Sequence, residues 1–145
     1  MKVVIGSDHA GFELKSKMVR VLESLGMDVL DQGTYSEDSV DYPDFAHKVA
    51  SKVNDKEVEM GVLICGSGQG VCMTANKYSG VRASLAWSAE IARLSREHNN
   101  ANVVCIPARF IEVSEAENVL KTFFGTDFEG GRHERRVTKI TEGIC

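Results

Sequence analysis

Five short runs rich in β-branched residues alternate with longer amphipathic stretches along these 145 residues. That alternation constrains the fold more than any other feature. The strand-like runs fall at 2–7, 27–31, 61–65, 81–85 and 102–106. Helix-period segments lie at about 11–25, 43–54, 69–77, 88–98 and 114–124. In the first of these, Leu14, Met18, Val21, Leu22 and Leu25 form one apolar stripe. The last opens on Ser114 with Glu117 three residues later, a capping-box pattern. Alternating β and α units imply a parallel sheet with a helix layer on each face. The expected fold is a Rossmann-like three-layer α/β/α sandwich with a five-stranded parallel sheet. The tail "EGGRHERRVTKI" adds a short basic C-terminal helix after two glycines. No repeat, linker or low-complexity segment divides the chain, so residues 1–145 are expected to form one domain.

Charge narrows the partners. The formal net charge is −4, with both signs interspersed, which argues against nucleic acid, whose phosphates need a basic face. No apolar run approaches the roughly 20 residues of a membrane span, and the N-terminus lacks the apolar stretch of a signal peptide. Cys65, Cys72, Cys105 and Cys145 include no CxxC pair, and a chain of this size needs no disulfides. Reduced thiols and a cytoplasmic location are therefore expected. No His/Cys cluster has ligand spacing along the sequence, so no metal is expected.

In open α/β sheets, ligands bind beyond the carboxyl ends of the strands. Three unusual stretches fall there: Ser7-Asp8-His9, Cys65 with its glycines, and the segment after the fifth strand. Gly66, Ser67, Gly68, Gln69 and Gly70 lead from a strand into a helix, and glycines let backbone N–H groups approach an anion closely. The spacing is not that of a dinucleotide fingerprint, and no Lys-Ser/Thr follows as in a P-loop. Such a loop can hold a phosphate, or an oxygen that becomes negative during reaction. Cys65 beside it is either a thiolate acting as nucleophile or base, or a buried structural cysteine. A cysteine phosphatase would want an arginine closing the loop, where this chain has Val71.

The other candidates each have a plainer reading. Asp8-His9 can exchange protons with a sugar hydroxyl or grip a phosphate, or Asp8 can simply cap a helix. His98 at a helix C-terminus is favourable through the dipole alone, and the asparagines after it suit a C-cap. Arg132 and Arg136 share one helix face, and with Arg109 they would make a phosphate clamp if brought together. Separately they are surface charge, as His133, Arg135 and Lys139 are expected to be.

Six motifs in order, "GSDHAG" (6–11), "DYPDFA" (41–46), "ICGSGQG" (64–70), "NKYSGVRA" (76–83), "SREHNNANV" (95–103) and "GGRHERRV" (130–137), resemble the ribose-5-phosphate isomerase B family. That family is sometimes grouped with the galactose-6-phosphate isomerase subunits. The resemblance implies interconversion of ribose 5-phosphate and ribulose 5-phosphate in the non-oxidative pentose phosphate pathway, without metal or organic cofactor. It makes Cys65 the proton acceptor, passing the C2 proton to C1 through an enediolate. It makes His98 the group that opens the furanose ring, with Asp8 as helper. Asp8, His9, the loop Gly66 to Gly70, Asn99, Arg109, Arg132 and Arg136 match substrate-binding positions. A homodimer or dimer of dimers is implied, with the site at the subunit interface, where Tyr42 and the tail arginines are residues a neighbour could contribute. Ser67 stands where many relatives carry Thr, and Gln69 where an apolar residue is common. Some relatives lack the cysteine and use a glutamate elsewhere in the chain; with Cys65 this chain resembles the cysteine branch.

Three alternatives stand beside this reading. The substrate could be a six-carbon phosphosugar such as allose or galactose 6-phosphate, although His98 favours the pentose. The scaffold could be a non-catalytic phosphosugar-binding module that leaves Cys65 and His98 idle. A redox-sensing thiol protein would use Cys72 to resolve Cys65, without CxxC geometry to support it.

Overall fold

The computed structural model describes residues 1–143; Cys145 lies outside the described residues. The elements run β1 (Lys2–Ser7), α1 (Phe12–Ser24), β2 (Asp28–Asp31), α2 (Tyr42–Asn54), β3 (Met60–Cys65), α3 (Gln69–Ala75), β4 (Ala83–Leu85), α4 (Ala89–Asn99), β5 (Val103–Pro107), α5 (Val113–Gly125) and α6 (Arg132–Thr141). A single 3-10 turn, Ala108–Phe110, follows β5. The five strands form one sheet in the order β2-β1-β3-β5-β4, every pair parallel. The expected three-layer sandwich is what the chain forms.

Side chains alternate across the strands and so build two cores. Val3, Ile5, Val62, Ile64, Val104 and Ile106 pack under α1, α4 and α5, where Met18, Leu22, Leu120 and Phe123 are fully buried. Val4, Leu63, Val103 and Cys105 face the other way, under Val49 and Ala50 of α2 and Val71 and Ala75 of α3. Each large apolar side chain so buried contributes about 1.5–3 kcal/mol. Among the described residues no helix is long and apolar enough to cross a membrane.

Three local expectations shift. The fourth strand begins at Ala83 rather than 81, because Arg82 N–H bonds the Asn102 side chain and Val81 N–H bonds Tyr78 in a turn. The third helix stops at Ala75, where the Asn76 side chain bonds both the N–H and the C=O of Ala83 and ties helix end to strand start. The capping box at Ser114 does not form: the fifth helix starts one residue earlier, after an extended Glu112. Its Glu115 instead accepts from the Ala89 N–H at the start of α4, where Ser88 already caps Ile91.

One buried charge is paired. Lys15 is 1% exposed, and its ammonium donates to both oxygens of Asp31 at 2.7 and 2.6 Å. Removing one partner of such a pair strands the other, and the stranded groups here differ. Asp31 is one-third exposed and can be hydrated, whereas Lys15 cannot. Asp31→Asn is therefore expected to destabilise the fold by about 2 kcal/mol or more, and Lys15→Met by less than half of that. Urea unfolding of the two variants gives the comparison.

Candidate active site

The topology places the crevice. β2 lies on one side of β1 and β3 on the other, so loops diverge beyond the carboxyl ends of β1 and β3. A cleft of about 360 Å³ opens there, lined by Asp8, His9, Tyr42, Cys65, Ser67 and Arg109, with Gly66 and Gly70 in its wall. They arrive from four places in the fold. Asp8 and His9 follow β1, Cys65 ends β3, Tyr42 opens α2, and Arg109 sits in the turn after β5.

Backbone contacts fix these groups. Asp8 is buried and uses Oδ1 to accept from the Gly11 N–H at 3.0 Å, holding the turn into α1. Asp8 thus braces the turn ahead of α1 and does not cap the helix: the N-cap is Gly11, with no side-chain cap bond. Its second oxygen has no partner among the described residues, in a side chain that lines the cleft. His9 is oriented by the Val40 N–H, which donates to Nδ1 at 3.1 Å. In the neutral ring the proton then sits on Nε2, which makes that atom a donor for a ligand oxygen. The Arg109 N–H bonds the Gly66 carbonyl at 2.9 Å, and its guanidinium lies over Gly66, where an added Cβ would meet Nη1 at 3.2 Å.

Two glycines are required by shape. Gly68 has φ of 73°, and a Cβ there would lie 2.5 Å from Leu85 Cδ1 and 3.2 Å from the Pro107 nitrogen. At Gly70 a Cβ would lie 2.5 Å from the Tyr42 ring. The backbone can therefore pass closely at these two positions, while the Gln69 N–H donates to Ser67 Oγ at 3.3 Å. Gly68 and the exposed Gln69 shape the loop without lining the cleft.

The remaining candidates form a second group elsewhere. His98 and Asn99 end α4, and Asn100 with φ of 47° caps it, as the asparagine pair suggested. They precede β5, whose first residue pairs with Gly61 near the start of β3, whereas Pro107 at its end pairs with Cys65. His98 and Cys65 thus stand toward opposite ends of the strands, with the length of β5, roughly 13 Å, between them. Arg132 and Arg136 are exposed on α6, which packs against α4. The chain does not bring its three clamp arginines together by itself.

His133 is not the surface residue expected from the sequence. It is 7% exposed, its ring stacks on His98 with centroids 4.3 Å apart, and its Nε2 lies 3.3 Å from Glu129 Oε2. The only sequence signal was its place inside a run of exposed charges, which hides an inward-facing position. Cys72, the supposed resolving thiol, points away from the cleft toward Cys105 and Ala83. The Cys105 hydrogen bond holds the Cys72 thiol below its ordinary range, and burial pushes Cys105 well above it. Nothing in that arrangement pairs Cys72 with Cys65.

A family model described as Ribose/Galactose Isomerase matches residues 3–140. The chain belongs to that family. The ribose-5-phosphate isomerase B of Escherichia coli strain K12 is 41% identical over 140 residues, 97% of this chain and 94% of that relative. Among solved structures, Clostridium thermocellum ribose-5-phosphate isomerase B superposes with a TM-score of 0.96 at 44% identity, covering 98% of this chain and 96% of the other. The Mycoplasma genitalium enzyme, solved with bound ribulose-5-phosphate, gives 0.92 at 45% identity, covering 97% and 93%. The likeness in sequence and in fold therefore extends along nearly the whole chain.

Proposed function

We propose that this chain interconverts ribose 5-phosphate and ribulose 5-phosphate, in a homodimer or dimer of dimers whose clefts are shared between copies. The observation that carries this reading is the cleft that joins Cys65, the glycine loop, Asp8, His9 and Arg109 at the strand ends. It rests also on family membership and on the relatives named ribose-5-phosphate isomerase B. A charged sugar phosphate is retained by membranes, so a cytoplasmic enzyme fits the substrate.

The chemistry follows from the site. The C2 proton of an aldose is weakly acidic, so its removal needs a base at C2 and stabilisation of the enediolate where charge develops. Cys65 as thiolate removes that proton and returns it to C1. Backbone N–H groups of the glycine loop, the Gln69 N–H that Ser67 Oγ already accepts excepted, receive the developing anion, and one such donor is worth roughly 3 kcal/mol. Asp8 and the His9 Nε2–H hold the sugar hydroxyls, and Arg109 draws the phosphate. The ring must open first, which is the task of His98.

His98 cannot reach a sugar held at Cys65 of the same chain, so a second copy delivers it, with Asn99, Arg132 and Arg136. The structure of α6 favours this. Its one buried residue among those described is His133, and Ile140 is half exposed. A helix so poorly covered by its own chain is suited to a neighbouring surface.

The test is direct conversion of ribose 5-phosphate, with allose 6-phosphate alongside and a chelator present. Turnover of the pentose exceeding that of the hexose is expected. Binding of both sugars with turnover of neither would sink the proposal and leave a non-catalytic module.

A further inference from the structure

We infer that His98, Glu129 and His133 form a binding site for a zinc-class divalent cation, and that filling it inhibits the enzyme. Their ligand atoms all lie within 4.8 Å of one another, the one His, Cys, Asp or Glu cluster of three that converges so closely among the described residues. Two imidazoles and a carboxylate are the donor set that zinc prefers to magnesium or calcium. Zinc holds such atoms at about 2 Å, so ligand atoms of a filled site stand roughly 3.3 Å apart. His133 Nε2 and Glu129 Oε2 are already at 3.3 Å.

The remaining adjustment is small. The two rings lie 14° from parallel, so one must tilt to aim its lone pair at a shared ion. His98 is half-buried at a helix end and Glu129 is exposed, which leaves both able to turn, while His133 is the fixed member. Glu129 is itself anchored, its N–H bonding the Glu97 carbonyl at the end of α4. The cations on the same helix, Arg132 and Arg136, are exposed on long stems and can swing from a bound ion. The cluster is invisible in the sequence because His98 is far along the chain from the Glu129–His133 pair.

Zinc on His98 ties up one ring nitrogen and holds the ring against His133 and Glu129, which withdraws it from proton exchange with a sugar. That consequence rests on the functional reading above; the metal site itself does not.

The experiment titrates Zn²⁺ into the full chain against a chromogenic chelator, with Mg²⁺ as control, and repeats it with Glu129→Gln and His133→Asn. One zinc per chain, weakened at least about tenfold in both variants, is the expected result. Glu129 is exposed, so its variant keeps the fold even if His133→Asn does not. Equal affinity in wild type and Glu129→Gln overturns the site. So does a thiolate-to-metal charge-transfer band on Co²⁺ loading, which would place the metal on a cysteine. In the activity assay, zinc is expected to slow wild type and to spare Glu129→Gln at the same concentration, with recovery on chelation. Equal slowing of both overturns the inhibitory role. A zinc-free wild type with no turnover overturns the functional reading, and the inhibitory role with it, while the titration still decides the site.

Discussion

Cys65→Ala is expected to lower kcat for ribose 5-phosphate by at least about a thousandfold, with KM changed little, because the proposed base is lost while the glycine loop proposed to hold the anion remains. The variant should still fold. Cys65 is 4% exposed at the end of β3, and replacing it removes one sulfur, a loss on the order of 1 kcal/mol. Circular dichroism and thermal unfolding separate that modest effect from the catalytic one. In heavy water, whatever deuterium enters the product by exchange at the Cys65 thiol should appear with wild type and be absent with the variant at a matched time. Retention of more than a tenth of the activity would move the base elsewhere in the cleft. Asp8, the buried carboxylate with an unengaged oxygen, would be the next group to replace.

The sheet was legible because every strand carries its own signal. Buried parallel strands read as continuous β-branched runs, and the helices between them read as stripes. What the pattern missed was settled by side chains acting at a distance. Asn76 and Asn102 replace ladder hydrogen bonds around β4 and shorten both a helix and a strand. Glu115, two places before the Glu117 that a capping box on Ser114 would use, serves a different helix. Neither partner is near in sequence, so no local rule reveals them.

The site divided along the same line. Asp8, Cys65, the glycine loop and Arg109 all follow strands, and the rule that ligands gather at strand ends in open α/β sheets finds them without a partner. His98, Asn99 and the α6 arginines sit away from those strand ends, and only the family resemblance joins them to the chemistry. Single residues there look like dipole and surface charge because within one chain that is what they are. His133 was lost for a related reason: α6 is exposed on nearly every side, so its composition announces a solvated helix. One turn of it faces His98, and a charged stretch gives no sign of which turn.

The division has a consequence that mixing can measure. Cys65→Ala and His98→Asn chains, each nearly inactive alone, are expected to recover activity when unfolded together and refolded, or when produced together. If every cleft takes Cys65 from one copy and His98 from another, a mixed dimer carries both lesions in one cleft and neither in the other. Random pairing makes half of the dimers mixed, so about one quarter of the wild-type activity should return. A self-contained site would give only the sum of the two residual rates, because every cleft would keep one lesion. The same mixture made with Arg136→Ala in place of His98→Asn should also recover, since α6 travels with α4 through the His98–His133 stack. Mixing Cys65→Ala with Arg109→Ala should not, since those two residues line one cleft of one chain and a mixed dimer would leave a lesion in each site.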